Sequence, residues 1–115
     1  MNIVICGAGR VGFSISKQLS AQGHAITVID QSSELIQKIN ETQDVTGVVG
    51  RATFPSVLEK AGAEDADMII AVTKSDETNM VICQVAHSIF KISKKIARIR
   101  TQEFLGGKWG KLYGE

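Results

Sequence analysis

Gly7, Gly9 and Gly12, set between an apolar run and an amphipathic segment, restrict this chain more than any other feature. The run Ile3, Val4, Ile5, Cys6 is too short for a helix and shows no polar alternation, which predicts a parallel strand buried on both faces. A G-x-G-x-x-G turn directly after such a strand has a physical reading. The first glycine permits the tight turn, the second lets backbone approach a pyrophosphate, and the third lets the next helix pack on the strand. Val11, Ile15 and Leu19 then recur every four residues on one helix face, Gly23 ends the helix, and Ala25 to Ile29 resume an apolar strand. Asp30 closes that strand 18 residues beyond Gly12. There a carboxylate can accept from ribose hydroxyls while the unpaired amides of the helix N-terminus hold phosphate. The unit predicts a nucleotide cradle.

The same alternation of strand and helix continues. Ser32 or Ser33 is placed to cap a helix whose inner face carries Leu35, Ile36 and Ile39, and Val45, Val48 and Val49 predict a third strand closed by Gly50. Arg51, Ala52 and Thr53 then form a loop at the same sheet edge as the glycine turn. Thr53 is read as the N-cap of a third helix, with Pro55 in its first turn, Val57, Leu58 and Ala61 facing inward, and Gly62 as its stop. Glu64 to Asp67 reads as a solvated acidic turn, and Met68 to Val72 as a fourth strand. Ser75 or Asp76 caps the longest helix, whose stripe is Val81, Ile82, Val85, Ala86, Ile89 and Phe90. Ile96 to Arg100 predicts a fifth strand with Arg98 and Arg100 on one face. The expected fold is α/β, a Rossmann-like doubly wound parallel sheet of five strands in the order 3-2-1-4-5 over residues 1–105. Residues 106–115, with Trp109 and Tyr113, read as an irregular or short helical tail, and a sixth strand is missing.

Composition narrows the function classes. A formal charge of +1 with 22% charged residues gives no excess that would seek nucleic acid. The apolar runs fall far short of the roughly 20 residues that span a bilayer, and Met1 leads straight into a strand, so neither a signal peptide nor a membrane helix is expected. Cys6 and Cys83 belong to no C-x-x-C pair and read as buried, reduced thiols. His24 and His87 stand apart from any acid or cysteine at ligand spacing, so no metal site follows.

The succession GAGRVG, VIDQSSE, VVGRAT, VLEKAGAEDADMIIAVTKSDETNM and IARIRTQEF resembles the N-terminal nucleotide-binding domain of Trk-type potassium-uptake regulatory proteins, also called the KTN or RCK N-terminal domain. The resemblance runs over residues 1–105, and its most specific part is the stretch from Val57 to Met80 together with IARIR. It implies a cytoplasmic regulatory subunit, peripheral at the inner membrane, that binds NAD(H), or else ATP or ADP. Its implied partner is an integral-membrane potassium transporter subunit, with homo-oligomers as dimers or larger rings and no enzymatic turnover. Many members carry an acid where this chain has Arg51. Members also continue into a sixth strand, a crossover helix and often a second ligand-binding domain, so the chain is expected to be truncated.

The expected cofactor site gathers from five places. Gly7, Gly9, Arg10, Val11 and Gly12 form the phosphate turn, with Arg10 reaching the diphosphate as the resemblance implies. Asp30 and Gln31 take the ribose, and Arg51 and Ala52 lie toward the adenosine. Thr73, Asp76 and Asn79 stand at the end of the fourth strand, and Arg98 at the fifth. Plainer roles compete with these: Asp30, Asp76 and Asn79 as helix caps, and Arg98 with Arg100 as guards of an open sheet edge. Two other function classes stay open. One is an NAD-dependent oxidoreductase fragment, which would need a positioned acid or base and a substrate pocket. The other is a dimerisation domain with a vestigial site.

Overall fold

The computed structural model describes residues 1–105. In chain order the elements are β1 (Asn2–Cys6), α1 (Arg10–Ala21), β2 (Ala25–Asp30), α2 (Ser33–Thr42), β3 (Thr46–Val49) and α3 (Pro55–Lys60), then a 3-10 turn (Ala63–Asp65), β4 (Met68–Ala71), α4 (Asp76–Ser88), β5 (Lys94–Ala97) and α5 (Gln102–Leu105). The five strands form one parallel sheet in the order β3-β2-β1-β4-β5. This is the Rossmann-like arrangement the alternation predicted. The expected tail and its Trp109 and Tyr113 lie outside the described residues.

Both faces of the sheet are covered, which is why the strands read as unbroken apolar runs. Successive side chains point to opposite faces. Val4, Cys6, Ile29, Val48, Ile69 and Ala71 meet Leu58 of α3 and Ile82, Cys83 and Ala86 of α4. Ile3, Ile5, Ile26, Val28, Ile70 and Val72 meet Ile36 and Ile39 of α2, together with Val11, Ile15 and Leu19 of α1. Ile5, Val28, Ile29 and Ile69 retain no accessible surface, and each such burial stabilises the fold by about 1.5–3 kcal/mol. The central strands therefore form a closely packed base beneath their carboxyl ends.

Several local expectations are corrected. β5 occupies Lys94–Ala97 rather than Ile96 to Arg100, so Arg98 and Arg100 follow the strand instead of alternating along it. The Arg98 N–H still donates to the Ala71 carbonyl at 2.9 Å, but the Arg100 and Thr101 amides turn away to the Asp76 carboxylate. That carboxylate takes two successive amides and ends the ladder. The N-cap of α3 is Phe54, not Thr53, because Phe54 N–H closes a turn onto the Arg51 carbonyl and its own carbonyl receives the Val57 and Leu58 amides. The α4 stripe is narrower than its sequence suggested: Ile82, Cys83 and Ala86 are buried, whereas Val81 is 47% and Ile89 55% exposed. α4 stops at Ser88, so Ile89 and Phe90 lie beyond it. Ser32 and Ser75 are the caps of α2 and α4, each accepting from the backbone amide three residues on. The acidic connector does more than stay solvated, since Asp67 Oδ2 accepts the Asn2 N–H at 2.7 Å and fastens the start of β1.

Candidate functional site

The chain leaves β1 toward α1 on one face of the sheet and leaves β4 toward α4 on the other. Between those two strand ends a crevice opens, the switch point at which open α/β sheets bind ligands. The three glycines of the turn serve different ends. Gly7 has φ +117°, and a Cβ there would stand 2.9 Å from the Val72 carbonyl oxygen, so both conformation and crowding demand glycine. A Cβ on Gly12 would overlap the Gly7 carbonyl, which fixes how closely α1 approaches β1. Gly9 is the exception. It is the N-cap of α1 at φ −73°, an ordinary conformation, and a Cβ on it would meet nothing within 4 Å. The fold does not require glycine at that position. No side chain caps α1, so its first-turn amides at Arg10, Val11 and Gly12 have no partner from the helix ladder or from a cap.

Asp30 ends β2 beside this turn. Its Oδ2 accepts the Ala8 N–H at 2.8 Å and its Oδ1 the Ser32 N–H at 2.8 Å. The carboxylate thus ties the glycine turn to the start of α2. Each oxygen keeps lone-pair capacity for a further donor, so the capping and ribose-accepting roles are compatible. A cleft of about 140 Å³ opens against these groups, lined by Gly7, Ile29, Asp30, Gln31, Gly50, Arg51, Ala52, Thr53, Thr73 and Thr78. A larger cleft of about 450 Å³ lies at the opposite edge of the sheet, around Asn2, His24, Asp44 and Asp65. It gathers none of the expected cofactor-site residues, and it lies at the amino ends of the strands, where such sheets do not bind nucleotides.

Of the expected site residues, Gly7, Asp30, Gln31, Arg51, Ala52 and Thr73 line the cleft together, and Gly9, Arg10, Val11 and Gly12 stand at the adjoining start of α1. Asp76, Asn79 and Arg98 are placed differently. Asn79 is fully buried: its Oδ1 accepts the Thr73 N–H at 2.9 Å and the Thr73 hydroxyl at 2.7 Å, and its Nδ2 donates to the carbonyls of Thr73 and, at 2.8 Å, Arg98. Asp76 accepts the amides of Arg100 at 3.0 Å and Thr101 at 2.7 Å. Hydrogen bonding from Thr101, then the Arg100 amide, outweighs desolvation and holds the Asp76 carboxyl below the usual aspartate range. These side chains brace the cleft's rim against the segment after β5. Gly50, Thr53 and Thr78 line the cleft without having been picked out. The first two flank Arg51 and Ala52 in the loop that the sequence already placed at this sheet edge. Thr78 sits one turn into α4, where nothing in the sequence distinguishes it.

Both cysteines are unpaired and buried in the core shared by α3 and α4. Burial pushes the Cys83 thiol up to about 11 and the Cys6 thiol higher still, so neither supplies a thiolate nucleophile near neutrality. Among the described residues, no cluster of metal-ligating side chains occurs and no helix is long and apolar enough to cross a membrane.

The model of the TrkA-N domain matches residues 3–107 of this chain. The chain belongs to the TrkA-N family. It is 50% identical over 109 residues to the Trk system potassium uptake protein TrkA of Azorhizobium caulinodans, covering 95% of this chain and 24% of that protein. To the protein of the same name from Vibrio alginolyticus it is 43% identical over 108 residues, covering 94% and 24%. The chain spans about a quarter of the length of these relatives. Among solved structures, the Shewanella denitrificans Kef CTD in its AMP-bound form superposes with a TM-score of 0.79 at 27% identity, covering 90% of this chain and 62% of that one. The TrkA-N domain of the Escherichia coli inner membrane protein ybaL superposes with a TM-score of 0.82 at 24% identity, covering 89% and 75%, and shares the fold. The TrkA-N match extends over every residue that lines the cleft, from Gly7 to Thr78.

Proposed function

We propose that this TrkA-N domain binds NAD(H), or alternatively ATP or ADP, across the glycine turn, and that occupancy of the site regulates a potassium transport system. The observation that carries the reading is Gly9. Neither backbone conformation nor packing calls for glycine there, so the space its side chain would fill is free for a ligand. The unpartnered amides of α1 suit a diphosphate, and Arg10 at the head of that helix adds a cation. Asp30 has acceptor capacity for ribose hydroxyls, and its negative charge disfavours a 2′-phosphate, so the NAD type is preferred to the NADP type. The AMP-bound form of the Kef CTD supports an adenine nucleotide in a domain of this shape.

The regulatory part of the reading rests on the relatives, which are named as Trk system potassium uptake proteins. On this reading the intact protein is a cytoplasmic homo-oligomer, held at the inner membrane by an integral-membrane potassium transporter subunit. A ligand regulates only through different affinities for two states of the assembly, and a cleft at a domain edge offers neighbouring domains a surface that changes on filling. An oxidoreductase is the weaker alternative. Among the described residues, the only ionisable side chains lining the cleft are Asp30, already engaged by two amides, and the guanidinium of Arg51, which has donors and no acceptor, so these residues supply no free acid or base for hydride chemistry. A dimerisation domain with a vestigial site is disfavoured by the open space at Gly9. The test is potassium flux through the reconstituted transporter with the intact regulator. Flux that changes with NADH or ATP supports the proposal; flux indifferent to both, or NADH oxidation coupled to a small substrate at enzyme rates, refutes it.

A further inference from the structure

Arg51 and Phe54 stand at the adenosine side of the cleft in an arrangement that core packing does not explain. Phe54 opens α3 with 50% of its surface exposed and joins neither hydrophobic core. Its N–H donates to the Arg51 carbonyl at 3.0 Å, and the turn so closed brings its ring to 5.4 Å from the Arg51 guanidinium carbon. Arg51 lines the cleft and Phe54 does not. The guanidinium is therefore backed by an aromatic ring on a loop that borders the ligand space. Gly50 holds that loop tightly on α3, since a Cβ there would sit 3.0 Å from the Val57 methyls.

Topology says what would arrive at this point. With phosphate on α1 after β1 and ribose at Asp30 after β2, the next position along the sheet is the loop after β3, so the base attached to that ribose lies over Arg51 and Ala52. Ala52 has no polar side chain with which to read a base edge, and a guanidinium offers donors and a flat, weakly hydrated face. We infer that Arg51, propped by Phe54, selects the base of the ligand by stacking on the face of a purine, and so accepts adenine and guanine alike. This rests on the nucleotide-binding reading above. Stacking is tolerant of base identity because every base has a π-face. The ring beneath Arg51 holds the plane in place before the ligand arrives, which makes Phe54 a positioning residue.

The experiment is calorimetric titration of AMP, GMP and NADH into the wild-type domain and into Arg51→Ala, Arg51→Lys and Phe54→Ala, each checked for an unchanged melting transition. Both altered side chains are on the surface, so the variants are expected to fold. Arg51→Ala should weaken AMP and GMP alike by about five- to a hundredfold. Arg51→Lys should lose nearly as much, since lysine keeps the charge and lacks the plane. Phe54→Ala should lose about two- to fivefold. Wild-type affinities for AMP and GMP should agree within about tenfold, and base protons should show NOEs to the Arg51 δ-methylene. Full affinity in Arg51→Lys would make Arg51 a counter-charge and overturn the inference, as would indifference to Arg51→Ala or Phe54→Ala. Rejection of GMP by more than about a hundredfold would point to a reader of the base edge instead. Wild-type protein that binds none of the three ligands would remove the nucleotide-binding reading itself; binding with indifferent variants would remove this inference alone.

Discussion

Replacing Gly9 by valine separates what the turn does for the fold from what it does for a ligand. At φ −73° an L-residue is unstrained, and a Cβ there meets no protein atom within 4 Å, so a side chain can start from this position without crowding the fold. The fold loses only the difference in N-cap preference between glycine and valine, about 0.5–1 kcal/mol, which lowers the melting temperature by a few degrees. Binding should suffer far more. The side chain would stand between ligand phosphate and the first amides of α1, and each lost hydrogen bond to a charged group costs about 1.5–3 kcal/mol. Two such losses weaken binding by about a hundredfold or more. Circular dichroism and calorimetric titration with NADH on one sample measure both sides. Gly12→Ala is the control, because its Cβ would overlap the Gly7 carbonyl, and it should damage stability whether or not a ligand is present. A folded Gly9→Val protein with wild-type affinity would show that the ligand does not approach through this turn.

Asp30→Ala should weaken NADH by about one to two decades. It should also lower stability, since the Ala8 and Ser32 amides lose their acceptor; tighter binding of NADPH than NADH by the wild-type protein would refute the ribose role. Asn79→Ala should cost about 1–3 kcal/mol in urea unfolding, because it strips partners from the part-buried Thr73 and Arg98 backbone; a loss under about 0.5 kcal/mol would contradict the bracing role. The Asp76 carboxyl is held below its unfolded value of about 3.9, so its contribution is complete above that pH and is lost as pH falls through the lower folded value. Urea midpoints between about pH 2 and 5 should therefore fall with acid in the wild type and fall less in Asp76→Asn, and parallel pH profiles would count against it.

Much of this architecture was legible because its signals are local. The buried runs at Ile3 to Cys6 and Met68 to Val72 have one reading, and the glycine turn followed by Asp30 fixes both the order of β1, α1 and β2 and the sheet edge at which folds of this kind take ligands. What was misplaced depends on contacts distant in sequence. Arg98 and Arg100 alternate like strand residues, but an acid 24 residues before Arg100 captures the amides that would have extended the ladder. For Asp76 and Asn79 the sequence offered capping and ligand contact, and the fold adds the hydrogen bonds that join them to the segment after β5. Ile89 continues the apolar period of α4, yet the helix ends one residue earlier and the side chain stays exposed. Phe54 takes the cap expected of Thr53 because Pro55 is the first helical residue and the turn from Arg51 closes on the Phe54 N–H.

The most direct test of the nucleotide site is amide NMR of the domain titrated with NADH and, separately, with ATP. The cleft of about 140 Å³ at the carboxyl ends of the strands and the cleft of about 450 Å³ at their amino ends share no residue. Saturable shifts concentrated on Gly7 to Gly12, Asp30, Gln31, Arg51 and Thr73 are the result expected here. Shifts centred instead on Asn2, His24, Asp44 and Asp65, or no saturable shift with either ligand, would contradict the assignment of this TrkA-N cleft as a nucleotide site.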